Sequence, residues 1–147
     1  DAESDGVTIA YTSVYGHTRA AVRTLAQELE NLGVKVAVHD LARGDTAEAV
    51  EDAFRYGKLV LATTTYNGDI FPFMKTFIDA LTERNYRNRK IALIENGTWA
   101  PVAAKIMRAA FENSKNIEFC ETTVKILGSL DAESEGRIKT LAEELAK

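Results

Sequence analysis

A lone cysteine, Cys120, excludes an internal disulfide, and with it the stapled scaffolds of small secreted domains. No apolar run approaches the ~20 residues that span a bilayer, and no signal-peptide pattern is present. These absences suit a reducing, cytoplasmic setting. Basic residues do not dominate: 18 Lys and Arg face 22 Asp and Glu, for a net charge of −4. That balance argues against nucleic-acid or anionic-membrane partners, which call for clustered positive charge. The methionines are only Met74 and Met107, so the sequence does not start with one. Its polar, acidic opening, residues 1–6, reads as a linker or tag remnant before a domain over residues 7–147. Either an initiator methionine has been removed or the domain has been cut from a longer polypeptide.

What is present is ordinary globular composition, 46% hydrophobic and 27% charged, in a length that suits one domain. β-Branched or apolar runs at 7–12, 34–39, 59–63, 91–95 and 117–126 predict five strands. Helical periodicity predicts helices over 18–32, 47–56, 73–82, 101–113 and 133–146, with Gly33 and Gly57 as stops for the first two. Strands alternating with helices imply a three-layer α/β/α fold around a five-stranded parallel sheet. The second run alternates in polarity and suits an edge, giving the order 2-1-3-4-5. Ligands then bind at the carboxyl ends of strands 1 and 3, where the order reverses.

The loop at that point reads Thr12-Ser13-Val14-Tyr15-Gly16-His17-Thr18. Hydroxyls, one glycine and the free amides of a helix start make a cradle for phosphate. One glycine and no lysine exclude the nucleotide-binding G-x-x-x-x-G-K-[ST] loop and the dinucleotide G-x-G-x-x-G turn. The alternative is a plain Ser or Thr helix cap, and His17 can serve through its amide alone or be an exposed loop residue.

Two further loops join it at the same edge. After the third strand come Thr63, Thr64, Thr65, Tyr66, Asn67, Gly68 and Asp69; after the fourth come Asn96, Gly97, Thr98 and Trp99. Tyr66 and Trp99 can bracket a flat ring, each stack contributing about 0.5–1.5 kcal/mol beyond area burial. A packed surface tyrosine and a core or interface tryptophan are the competing readings. The threonines and Asn96 either hold the ligand or cap strand ends. Asp69 and Glu95 are carboxylates that would lower the potential of a nearby redox ring, or are simply solvated. Cys120 reads as a small buried hydrophobe, having no second cysteine to resolve it.

From Gly6 onward the chain resembles flavodoxins, most closely the flavodoxin-like domain of A-type flavoproteins (flavodiiron proteins). The phosphate-loop pattern S-x-Y-G-[NH]-T matches Ser13-Val14-Tyr15-Gly16-His17-Thr18, and S-P-T-Y-N-G-x-x-F-P matches Thr65-Tyr66-Asn67-Gly68 and Phe71-Pro72. Thr64 departs from the usual proline, His17 from the flavodoxin asparagine, and residues 95–101 from the glycine-rich third loop. The resemblance implies a flavodoxin-like fold that binds flavin mononucleotide (FMN) at the three loops and transfers electrons. It implies that the Asn67-Gly68 peptide faces the reactive flavin nitrogen. It also implies redox protein partners or a fused diiron domain for oxygen or nitric oxide reduction, since two histidines are too few for a diiron site here. The alternatives are a stand-alone flavodoxin, an FMN-dependent NAD(P)H or quinone reductase, or a flavin-free regulatory domain. The last would need acidic clusters and a lysine where this sequence has hydroxyls.

Overall fold

A computed structural model describes residues 2–13, 16–66, 69–97, 102–127 and 130–147, with the backbone alone at Tyr66. The elements are β1 (Ser4–Tyr11), α1 (His17–Asn31), β2 (Val36–Asp40), α2 (Thr46–Arg55), β3 (Tyr56–Tyr66), β4 (Asp69–Ile70), α3 (Pro72–Glu83), β5 (Arg89–Asn96), α4 (Ala103–Ala110), β6 (Ile117–Phe119), β7 (Val124–Ile126) and α5 (Ala132–Leu145). The sheet runs β2-β1-β3-β5-β6, with β7 also on β5 and all of these pairs parallel. The alternating β2 is the edge, and β1, β3 and β5 are the buried centre. Thus the expected order 2-1-3-4-5 holds.

Each helix buries the stripe its periodicity marks. Ala21, Val22, Leu25, Ala26 and Leu29 of α1 pack with Ile138, Leu141, Ala142 and Leu145 of α5 on one face of the sheet. Ala49, Ala53, Met74, Phe77, Ile78, Leu81, Ala103 and Met107 cover the other face from α2, α3 and α4. Full burial of each large apolar side chain contributes about 1.5–3 kcal/mol relative to exposure. α1 ends as predicted: Gly33 takes φ 80, and the amides of Gly33 and Val34 return to Glu30 O and Leu29 O, both at 3.0 Å.

Three expectations need correction. β1 starts at Ser4, where it pairs with Tyr56, rather than at residue 7. The second helix passes straight into β3, with Gly57 inside the strand rather than at a helix stop. It needs no glycine because its last carbonyls are satisfied from afar. Tyr86 Oη donates to Ala53 O at 3.0 Å, and Arg89 donates to Phe54 O at 2.7 Å and Tyr56 O at 3.0 Å. Finally, the expected fifth strand, 117–126, is two short strands, and the small antiparallel β4 brings the sheet to seven. Between β6 and β7 the amides of Glu121 and Thr122 turn to the Glu144 carboxylate of α5, at 2.7 and 3.2 Å. A side chain therefore takes the place of the ladder there.

Candidate functional site at the carboxyl edge

The ends of β1, β3 and β5 bring the three predicted loops to one edge. Thr12 N donates to Ala62 O at 3.0 Å, and the Thr12 and Thr63 hydroxyls hydrogen-bond to each other. Thr18 Oγ1 lies 3.4 Å from Thr64 Oγ1 and accepts from Asn96 Nδ2 at 3.5 Å. These last two contacts are at the long limit for hydrogen bonds. Thr12, Thr18, Thr63 and Asn96 are all buried, an unusual density of polar side chains beneath a surface. Gly97 N, in the third loop, donates to Ile126 O of β7 at 3.0 Å.

Gly16 stands at the N-cap of α1 with φ 85 and ψ −6, the left-handed region. A Cβ there would meet nothing within 4 Å, so backbone conformation, not crowding, calls for glycine. No side chain caps this helix at Gly16; the Arg19 amide reaches Ser13 Oγ at a long 3.3 Å. Helix geometry leaves the His17 and Thr18 amides without intrahelical partners, at the positive end of the dipole.

The other four helices start differently. Asp45 accepts from Ala47 N at 2.8 Å for α2, and Asp131 accepts from Ser134 N at 2.8 Å for α5. Pro72 removes a donor from α3, whose Met74 and Lys75 amides return to Phe71 O. At α4, Thr65 Oγ1 accepts from Val102 N at 2.9 Å and Ala103 N at 3.2 Å, and Glu95 Oε1 accepts from Ala104 N at 3.0 Å. Among the described residues, α1, α3 and α4 have no side-chain cap from the N-cap residue itself. Thr65 and Glu95 serve α4, and α3 loses one donor to Pro72. At α1, Ser13 Oγ takes the Arg19 amide, and the His17 and Thr18 amides open the helix beside the buried hydroxyls. That arrangement accepts a phosphate-sized anion.

Glu95 is not solvated, as one reading of the sequence allowed. It is 3% exposed, with Oε2 3.9 Å from Lys125 Nζ. Asp69 pairs with Lys75 at 3.1 Å, and the Ile70 amide and then Lys75 hold its carboxyl below the usual range. Cys120 is buried as expected, and burial first, then Glu144, pushes its thiol up to about 12. A recess of about 630 Å³ lies at the opposite, amino edge, with Lys35, Lys58 and Lys90 among its walls. Lys58 Nζ there donates to Leu145 O at 2.5 Å, so that lysine closes a helix end. The recess contains no predicted site residue.

The structure thus places Thr12, Ser13, Gly16, His17, Thr18, Thr64, Thr65, Asn96 and Gly97 at or beside one edge, on or next to the strands and helix named above. Val14, Tyr15, Asn67, Gly68, Thr98 and Trp99 lie outside the described residues, as does the Tyr66 ring. Sequence reasoning missed the Thr65 and Glu95 caps and the lysine partners of the two carboxylates. A proline at 101 marks a helix start, but nothing local says which distant side chain will cap it.

A family model described as "Flavodoxin domain" matches residues 8–133. The anaerobic nitric oxide reductase flavorubredoxin of Escherichia coli O1:K1 is 24% identical over 125 residues, 80% of this chain and 26% of that protein. The chain therefore spans about a quarter of the length of the curated relatives it matches. Among solved structures, rubredoxin oxygen:oxidoreductase from Desulfovibrio gigas superposes with a TM-score of 0.92 at 17% identity, over 99% of this chain and 36% of that one. A flavodoxin from the domain Archaea gives 0.84 at 16% identity, over 96% of each chain.

Proposed function

This chain belongs to the flavodoxin domain family, and we propose that it is an FMN-binding electron-transfer domain. In this reading it is the electron-donating flavodoxin module of an A-type flavoprotein that reduces oxygen or nitric oxide. The observation that carries the reading is the glycine-opened start of α1 beside the buried Thr18 and Asn96 and the half-buried Thr64. A phosphate would supply acceptors to the His17 and Thr18 amides, which have no intrahelical partner. Gly16, His17 and Thr18 would hold it through backbone N–H groups, with Ser13 and Thr18 hydroxyls beside them. FMN, when bound, supplies the electron-transfer chemistry. The chain's part would be to position it, with Tyr66, Trp99 and the Asn67-Gly68 peptide as the residues that would hold the ring.

Oxygen or nitric oxide chemistry falls to a fused diiron domain or to a redox partner protein, in the cytoplasm. Among the described residues, no group of three or more His, Cys, Asp or Glu side chains is placed to hold a metal ion. The second reading is a stand-alone flavodoxin, since the fold also superposes on an archaeal flavodoxin. The two part on the natural polypeptide, which in the first carries the diiron domain.

The test is reconstitution. Purified chain mixed with FMN is expected to quench flavin fluorescence stoichiometrically and to retain the yellow cofactor through gel filtration. Failure to bind at micromolar FMN would overturn both readings.

A further inference from the structure

We propose that Thr65 is a positioning residue, a latch that fixes the loop after β3 to the start of α4. The described ends of the two loops assigned above to the flavin ring are thereby held at a fixed spacing. This rests on the FMN reading, but its structural half stands on hydrogen bonds alone.

α4 cannot cap itself. Its N-cap residue is Val102, which has no side-chain acceptor, and Ala103 and Ala104 follow. Three consecutive amides at this start therefore need acceptors from elsewhere. Thr65 Oγ1 takes the amides of Val102 and Ala103, at 2.9 and 3.2 Å, and the buried Glu95 carboxylate takes that of Ala104 at 3.0 Å. Both lone pairs of the Thr65 hydroxyl are thus committed to the backbone of another loop.

Thr65 is itself held. It lies in β3, paired with Ile70 of β4. Glu95 is fixed in β5, paired with Thr63 and Lys125. Among the described residues, Thr65 and Glu95 supply the side-chain acceptors at the start of α4. Removing the hydroxyl deprives the Val102 and Ala103 amides of their acceptor, and Ala103 is fully buried. The end of β3 and the start of α4 are thus held to each other, and the dependence runs both ways.

The test compares native protein with Thr65→Val, which keeps shape without the hydroxyl, and Thr65→Ser, which restores it. Amide hydrogen exchange is read by NMR without FMN. In Thr65→Val the Val102 and Ala103 amides are expected to exchange at least about tenfold faster, while Leu93 of β5 is unchanged. With FMN, Thr65→Val is expected to bind about tenfold more weakly and to alter the visible circular dichroism of the bound flavin. Thr65→Ser returns all three readouts towards native values. Unchanged protection of Val102 and Ala103 in Thr65→Val overturns the latch, as does unchanged FMN affinity and dichroism where native protein binds. If native protein binds no FMN, the functional reading falls, and the exchange experiment still decides whether the latch exists.

Discussion

Asn96 Nδ2 donates to Thr18 Oγ1 across 3.5 Å, although the two residues stand 78 positions apart in the chain. The pair ties the end of β5 to the first turn of α1, beside the loop proposed to hold phosphate. Thr18→Val removes the acceptor and leaves the buried Asn96 amide short of a partner. Folding stability is expected to fall by about 1 kcal/mol. FMN affinity is expected to fall about tenfold, and riboflavin affinity much less, since riboflavin carries no phosphate. Parallel fluorescence titrations with the two flavins check this.

Gly16→Ala isolates the conformational demand at the start of α1. Because an added Cβ meets no neighbour, the loss is the intrinsic one for the left-handed region, about 1–2 kcal/mol. Gly16→Asn should lose less, because asparagine tolerates that region better. Equal losses in urea unfolding for the two variants would count against a purely conformational origin.

Arg89→Met tests the clamp at the amino edge, opposite the site. The guanidinium is buried at 4% exposure, lies 5.1 Å from the centre of the Tyr86 ring and donates only to backbone carbonyls. Methionine fills much of the volume but leaves Phe54, Tyr56 and Arg87 carbonyls unserved. The expected destabilisation is about 3 kcal/mol or more, read from denaturant midpoints. It should spread to both α2 and β5 in hydrogen exchange, because the guanidinium bridges them.

Acid should loosen the molecule through two carboxylates. The amide and hydroxyl of Ser134 hold Asp131 below its ordinary value of 3.8. Burial pulls Glu144 upward, but the Glu121 and Thr122 amides outweigh it and leave it below 4.5. A depressed folded-state value stabilises the protein above the unfolded value and is lost as pH falls through the folded one. Asp131→Ala and Glu144→Ala are therefore expected to be less stable than native protein at neutral pH. Both gaps should narrow as pH drops below 4.5 for Glu144 and below 3.8 for Asp131. Urea melts across that range provide the measurement.

The frame of this fold is legible in local pattern, because period and polarity decide where central strands, edge strands and amphipathic helices form. β2 announces itself as an edge by alternation, and Gly33 announces the end of α1. What local pattern cannot carry is a partner supplied from far along the chain. The break between β6 and β7 depends on Glu144, and the glycine-free end of α2 depends on Tyr86 and Arg89. In the site the same division holds. The hydroxyl-rich loop before α1 is visible as composition, whereas the capping contacts of Thr65 appear only once α4 is folded against it, 37 residues later.

The glycine-opened start of α1 presents the His17 and Thr18 amides, which helix geometry leaves without intrahelical partners, at one place in the folded state. An anion that meets them binds the native chain and has no matching site in the unfolded one, so each increment of affinity becomes resistance to unfolding. If FMN is that anion, the melting temperature of this protein should act as a gauge of flavin supply: chains made faster than flavin arrives would be the first to unfold, and the first to be cleared.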